Sequence, residues 1–402
     1  MPPTLPTIIE IRKVTRRDGG FWPFLLKDGL PLVLPNLWVE EYCQQSRQNT
    51  AEAYLRDISL VYAWALRLGV SIEDRLSALT GFTSTEIRAI AHQFCTTRTG
   101  NNASKATCIR RFESLRSFLK FSFDYHLEKN HSTLSDQGQA EKNLSKQTNM
   151  FRKHMRRYAN EAEPGRKSTD LTPTELKVLE EIIHPNSVKN PFRSHIVKVR
   201  NYCLFHVAIQ TLARRGELVL LEIDDVDLSD KPTITIKKPN ENNKSKRSDG
   251  ASLKTKGRMV PITTSLAGVL HEYLTEIRTK SLRPRVPSKA LFLSTRDGRR
   301  LSAYTINQIL EIVMKQADIA LLNKRLHPHA LRATGGNETR RMLTEAGADP
   351  LEINELLTYM GGWSHGSSQP AEYSRTAMSE RLGSLLRKHS KPNKKKDGHL
   401  DE

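Results

Sequence analysis

The chain has little cysteine, and what it has is scattered. Cys43, Cys95, Cys108 and Cys203 stand singly, with no close pair of the kind that builds a zinc site or a redox motif. They are expected to be reduced core thiols. Long apolar runs are missing too: no stretch approaches the roughly 18–20 residues needed to span a bilayer. The opening residues, Met1-Pro2-Pro3-Thr4-Leu5-Pro6, lack the charged n-region and apolar h-region of a signal peptide. These absences point to the cytoplasm and exclude a membrane partner. Negative charge is also short. Sixty-three Lys plus Arg stand against 44 Asp plus Glu, a formal charge of +19, which is the footprint of a protein that sits on phosphates and predicts association with the nucleoid. There is no internal repeat, and 402 residues at 37% hydrophobic content suffice for two ordinary domains with polar connectors.

Residues 1–34 read as an N-terminal extension and residues 35–128 as a helical domain. Asn49-Thr50-Ala51-Glu52 has the spacing of a capping box, and Tyr54, Ile58, Val61, Ala65 and Leu68 follow at helical intervals. From Ser104 to Tyr125, Cys108, Phe112, Leu115, Leu119 and Ser122 form a stripe, with Arg116 and Lys120 elsewhere on the cylinder. Those two bases are either a solvated face or contacts to a nucleic-acid backbone. Residues 129–169 turn polar and are expected to be a linker. Within it the run from Phe151 to Tyr158 carries Lys153, Arg156 and Arg157, suited to a DNA backbone or to a short solvated helix.

A second domain is expected over 170–388. Thr172-Pro173-Thr174-Glu175 is a helix start, and a further helix runs from Ser194 toward Ala213. Period-two patterning at Thr233–Ile236 and Arg258–Ile262 predicts two strands of a small sheet. Asp349-Pro350-Leu351-Glu352 starts another helix, and residues 389–402 read as a basic disordered tail.

Four separated elements suit one task, holding a phosphodiester while an oxygen attacks it. In Thr211-Leu212-Ala213-Arg214-Arg215-Gly216-Glu217, a guanidinium that can grip phosphate oxygens precedes a carboxylate able to orient it. Alone, that pair is more readily a surface ion pair at a helix end. Lys254 and Lys256 stand in a turn feeding a strand, where a lysine can reach a leaving group. His329-Ala330-Leu331-Arg332 and Tyr373 complete the set, with Gly362-Trp363 between them. A phenol with a pKa of about 10 is only about one part in a thousand ionised at neutral pH, so attack by Tyr373 needs a base and nearby positive charge. The histidine and arginines supply both.

Taken together and in this order, these residues resemble the tyrosine recombinase, or phage integrase, family, from about Asn36 to Arg387. Thr50-x-x-x-Tyr54-x-x-Asp57-Ile58 with Tyr62 and Trp64 looks like the signature of that family's helical, SAM-like core-binding domain. The resemblance implies a mainly α fold with a small antiparallel β-sheet in the catalytic domain, arranged as a two-domain C-shaped DNA clamp. It implies a site-specific recombinase that cleaves and rejoins DNA through a 3′-phosphotyrosine, integrating or excising a mobile element without metal or other cofactor. Arg214 and Arg332 would grip the scissile phosphate, Tyr373 would attack, Lys254 would protonate the leaving 5′ oxygen, His329 would act as acid or base, and Trp363 would hydrogen-bond the phosphate. Double-stranded DNA sites, a homo-tetramer on DNA and accessory or directionality factors would be its partners.

The chain departs from the family pattern in places. Leu212 stands where the family has glycine, which predicts a different turn at Arg214 and makes Arg215 the alternate. Gly335-Gly336 follows Arg332 unusually and leaves the start of the next helix open. Between Trp363 and Tyr373 there is an extra residue, and His365 competes with Trp363, as Lys256 does with Lys254. Three other readings stand beside this one. Glu222-x-Asp224-Asp225-x-Asp227 would suit a two-metal transposase. The same tyrosine chemistry would serve a type IB topoisomerase-like enzyme, and the scaffold alone a silent DNA-binding accessory protein.

Overall fold

The computed structural model describes residues 8–17, 20–43, 48–97, 99–130, 133–161, 170–238, 256–284, 286–316 and 326–389. The chain divides into two compact units, the first running to Lys167 and the second beginning at Ser168. Both are mainly helical, and each carries one small antiparallel sheet among the described residues.

The first unit opens with β1 (Ile9–Thr15), β2 (Phe21–Lys27) and β3 (Leu30–Pro31), in that order in the sheet. Trp22 and Leu25 of β2 enter the core, so the segment read as an extension belongs to the unit. Helices α1 (Val33–Tyr42), α2 (Gln48–Arg67), α3 (Ile72–Ser77), α4 (Ser84–Cys95) and α5 (Lys105–Lys129) follow. Ser104 caps α5, and Cys108, Phe112, Leu115, Leu119 and Ser122 are all buried, as their spacing predicts. Helix α2 is already running at Gln48, so Asn49–Glu52 is not its capping box; Glu52 pairs instead with Lys13 and Arg56. Asp57 is buried at 1% exposure, held by two bonds from Arg110 and one from Ser114.

The expected linker is corrected by the structure. Residues Leu134–Glu161 form one 28-residue helix, α6, which packs on α4 and α5. Its composition is polar because its contacts come only every third or fourth residue: Ala140, Gln147, Phe151 and Met155 are buried and Leu144 is partly so. Gln147 accepts from Phe82 N and donates to Thr80 O, replacing an apolar contact with two hydrogen bonds. Fully burying a Phe or Met side chain contributes about 1.5–3 kcal/mol, enough to seat a helix that is otherwise solvated.

In the second unit α7 (Pro173–Ile183) starts at the Thr172–Glu175 capping box, and α8 (His195–Thr211) runs through the core. A short α9 (Arg215–Leu220) leads to β4 (Val226–Asp227), β5 (Thr233–Ile236) and β6 (Arg258–Pro261), an antiparallel sheet in that order. Then come α10 (Thr264–Glu272), α11 (Ala303–Gln316), α12 (Pro328–Glu345), α13 (Pro350–Gly361), α14 (Gln369–Tyr373) and α15 (Arg375–His389). Among the described residues no helix is long and apolar enough to cross a membrane.

Candidate active site

Helix α8 ends at Leu212 with φ 50° and ψ 30°, the left-handed conformation that glycine adopts freely. The leucine therefore keeps a glycine-type turn. For an L-residue this costs about 1–2 kcal/mol, and the fully buried side chain, packed with Ile353, Leu357, Trp363 and Tyr373, offsets it. The turn places Arg214 at the N-cap of α9, half-buried, while Arg215 points to solvent. Glu217 reaches back to accept from Arg214 N at 2.9 Å, whereas its Oε1 lies 3.7 Å from Arg214 Nη1.

His327 caps α12 by accepting from Ala330 N, and Pro328 occupies the first turn, which sets His329 and Arg332 on the helix. The glycine pair does not interrupt α12. A Cβ at Gly335 would overlap Ile209 O of α8, and one at Gly336 would lie 2.7 Å from Tyr373 O. Glycine is what lets α8 and the tyrosine backbone approach this helix. Farther along, Arg340 donates to Ser374 Oγ and Asn337 accepts from Ala377 N, pinning the residues that follow Tyr373.

Arg332 is 1% exposed. Its Nη1 donates to Leu212 O and its Nη2 to Gly361 O, while its guanidinium carbon sits 4.7 Å from the Trp363 ring centroid and 5.3 Å from that of Tyr373. The Trp363 and Tyr373 rings lie 5.1 Å apart. Tyr373 Oη contacts His329, 3.0 Å from Nδ1 and nearer to Nε2. Three buried donors, Arg214 Nη1, Arg332 Nε and Trp363 Nε1, have no acceptor.

The electrostatics follow from this crowding of cations. Burial lowers the Arg332 pKa to about 9, with Arg214 the next contribution, so the group stays charged at neutral pH at the cost of its hydration. His329 is lowered to about 4 by desolvation and then by the charges of Arg332, His327 and Arg214. The residue is nonetheless exposed, so the neighbouring charges act on it through solvent as well as protein. It is neutral at pH 7 and able to take a proton. Burial raises the Tyr373 phenol, against the opposing pull of Arg332 and Arg214.

Of the other nominated residues, His365 is exposed, and Lys256 is exposed with its N donating to Gly362 O. Lys254 lies outside the described residues. Arg116 and Lys120 are exposed on α5, the former paired with Glu113, and Lys153, Arg156 and Arg157 are exposed on α6. Three of the four acids in the run are ion-paired: Glu222 meets Arg300 and Lys237, Asp225 meets Lys237, and Asp224 meets Lys289. Among the described residues no group of three potential ligands is placed to hold a metal. Sequence reasoning missed Arg258, buried against Glu217, and the close approaches at Gly335 and Gly336. An arginine within an apolar strand was the available signal for the first.

The model of the phage integrase family matches residues 169–380, just over half of the chain and all of this site. The chain belongs to the phage integrase family. It is 27% identical over 190 residues to tyrosine recombinase XerD of Listeria innocua and, equally, to that of Listeria monocytogenes, covering 46% of this chain. The chain spans about half (56%) of the length of these curated relatives. Among solved structures this integrase-family chain is similar to the Tn1549 transposon integrase in complex with transposon right end DNA, with a TM-score of 0.54 and 17% identity over 88% of this chain and 100% of that one. A complex of the same integrase with circular intermediate DNA gives 0.53 and 17%, over 87% and 99%. These likenesses show a shared fold.

Proposed function

We propose that this protein is a site-specific DNA recombinase that breaks and rejoins strands through a 3′-phosphotyrosine, serving integration or excision of a mobile element. The observation that carries it is the set of unsatisfied donors around a tyrosine already in contact with a neutral histidine. Buried donors without acceptors are costly, and an anion with several oxygens would satisfy them together. Arg214, Arg332 and Trp363 would hold the non-bridging oxygens and stabilise the extra charge of the pentavalent transition state. Tyr373 Oη attacks phosphorus as its proton passes to His329. The P–O5′ bond breaks, with Lys254 giving the departing oxygen its proton. Because the new ester retains the energy of the old one, a 5′ hydroxyl reverses the step without nucleotide, and the guanidiniums supply the charge that a metal would otherwise bring. Duplex DNA is the partner, in the cytoplasm at the nucleoid, with four copies and accessory factors completing the synapse.

Nicked suicide DNA from sequences flanking the gene tests this on denaturing gels. Wild type is expected to form a covalent adduct in EDTA, and Tyr373→Phe to bind equally but form none. Tight binding to a verified site without an adduct would refute the chemistry and leave a DNA-binding accessory protein. Supercoil relaxation without partner exchange would make it a topoisomerase.

A further inference from the structure

We infer that Arg258 is a positioning residue: it keeps the Glu217 carboxylate engaged, so that the Arg214 guanidinium remains available to the phosphate instead of closing onto that carboxylate. The inference rests on the strand-cleavage reading above and deepens it.

Arg258 begins β6 and is 5% exposed, and Glu217 is 1% exposed. Arg258 Nη2 donates to Glu217 Oε2 at 3.0 Å, and the same oxygen accepts from Arg214 N at 2.9 Å. Arg258 Nε donates to Met360 O at 2.6 Å, at the end of α13, just before Trp363 and before Gly361, whose carbonyl accepts from Arg332. One guanidinium thus ties the α9 cap to the segment that presents the tryptophan.

Among the described residues, two guanidiniums stand within ion-pair distance of this one buried carboxylate. Arg214 Nη1 stands 3.7 Å from Glu217 Oε1, drawn by charge yet beyond the about 2.8 Å of a charge-assisted hydrogen bond, and it has no acceptor. Burial lowers the Arg258 pKa and Glu217 opposes that shift, so each ion depends on the other. If Arg258 became neutral, the carboxylate would recruit a replacement cation, because a buried charge does not remain unpaired. Among the described residues Arg214, three residues away on the same turn, is the other cation within ion-pair distance of that carboxylate. Its recruitment would remove a phosphate donor without disturbing Tyr373, His329 or Trp363.

The test compares adduct formation on nicked DNA by wild type, Arg258→Met, Glu217→Gln and the double variant, with thermal melts as the control for folding. Arg258→Met is expected to cleave about 10²-fold more slowly than wild type, the loss typical when one transition-state donor goes. In the Glu217→Gln background, where no carboxylate can capture Arg214, the same change still cuts the bond to Met360 O and is expected to slow the rate by no more than about tenfold, the worth of one hydrogen bond. A role confined to packing would give equal losses in both backgrounds, and that result overturns the inference, as does a wild-type rate for Arg258→Met. If Arg258→Met alone does not fold, the comparison of Glu217→Gln with the double variant decides, and a loss beyond about tenfold there overturns it. Absence of any adduct from wild type on a verified site would instead fell the strand-cleavage reading, and this role with it.

Discussion

Leu212 offers a test of how the turn before Arg214 is held. Its φ of 50° is unfavourable for any residue with a Cβ, and its side chain is fully buried. Leu212→Ala removes the packing and keeps the backbone cost, for a loss of about 2–5 kcal/mol. Leu212→Gly removes the same packing and also relieves about 1–2 kcal/mol of left-handed strain. In an ordinary helix glycine is about 1 kcal/mol worse than alanine. Here the order should invert, with the glycine variant more stable than the alanine variant by about 0.5–1 kcal/mol after the larger unfolded-state entropy of glycine is counted. Urea denaturation with equal slopes measures this as a difference in midpoint. An alanine variant as stable as the glycine variant would refute the reasoning, because it would mean that the turn is not left-handed in solution.

Gly336→Ala places a Cβ 2.7 Å from Tyr373 O. In a free helix this change would stabilise by about 1 kcal/mol. It should instead lower the melting temperature and slow adduct formation by about 10²-fold, the effect of displacing a reacting group by about 1 Å; a higher melting temperature with the wild-type rate would contradict this. His206 is held to about 4 by burial and then by His184, and its buried Nε2 has no hydrogen-bond partner among the described residues. Its folded pKa lies below the unfolded value of about 6.5, so the unfolded chain binds more protons between these values and stability falls as pH drops from about 6.5 toward 4. Urea titrations should lose about 2 kcal/mol from this group between pH 7 and pH 5, and His206→Leu should flatten that slope; an unchanged slope would place the acid sensitivity elsewhere.

Three helix starts were legible because their chemistry is local. The Thr172–Glu175 box, the Ser104 cap and the Asp349 cap each satisfy their own backbone within three residues. The stripe from Cys108 to Ser122 and the strands at 233–236 and 258–261 were legible because period reports burial. Helix α6 was not, because its contacts are sparse, one is a glutamine, and polar composition hid the period. The reactive residue types could be named from order along the chain, yet nothing in that order says that Arg214 rather than Arg215 turns inward, or that Trp363 is buried and His365 exposed.

The sequence by itself determined the cation excess, the locally capped helix starts at Ser104, Thr172 and Asp349, and which residue types could hold and attack a phosphate. Only the tertiary structure decided that Leu212 adopts a glycine's conformation, that Gly335 and Gly336 admit α8 and the Tyr373 backbone, and that Arg258 stands behind Glu217. The physical reason is range. A cap or an amphipathic stripe is set by neighbours a few residues away, whereas a buried charge, a left-handed leucine and a close backbone approach are tolerated only by groups brought from distant parts of the chain.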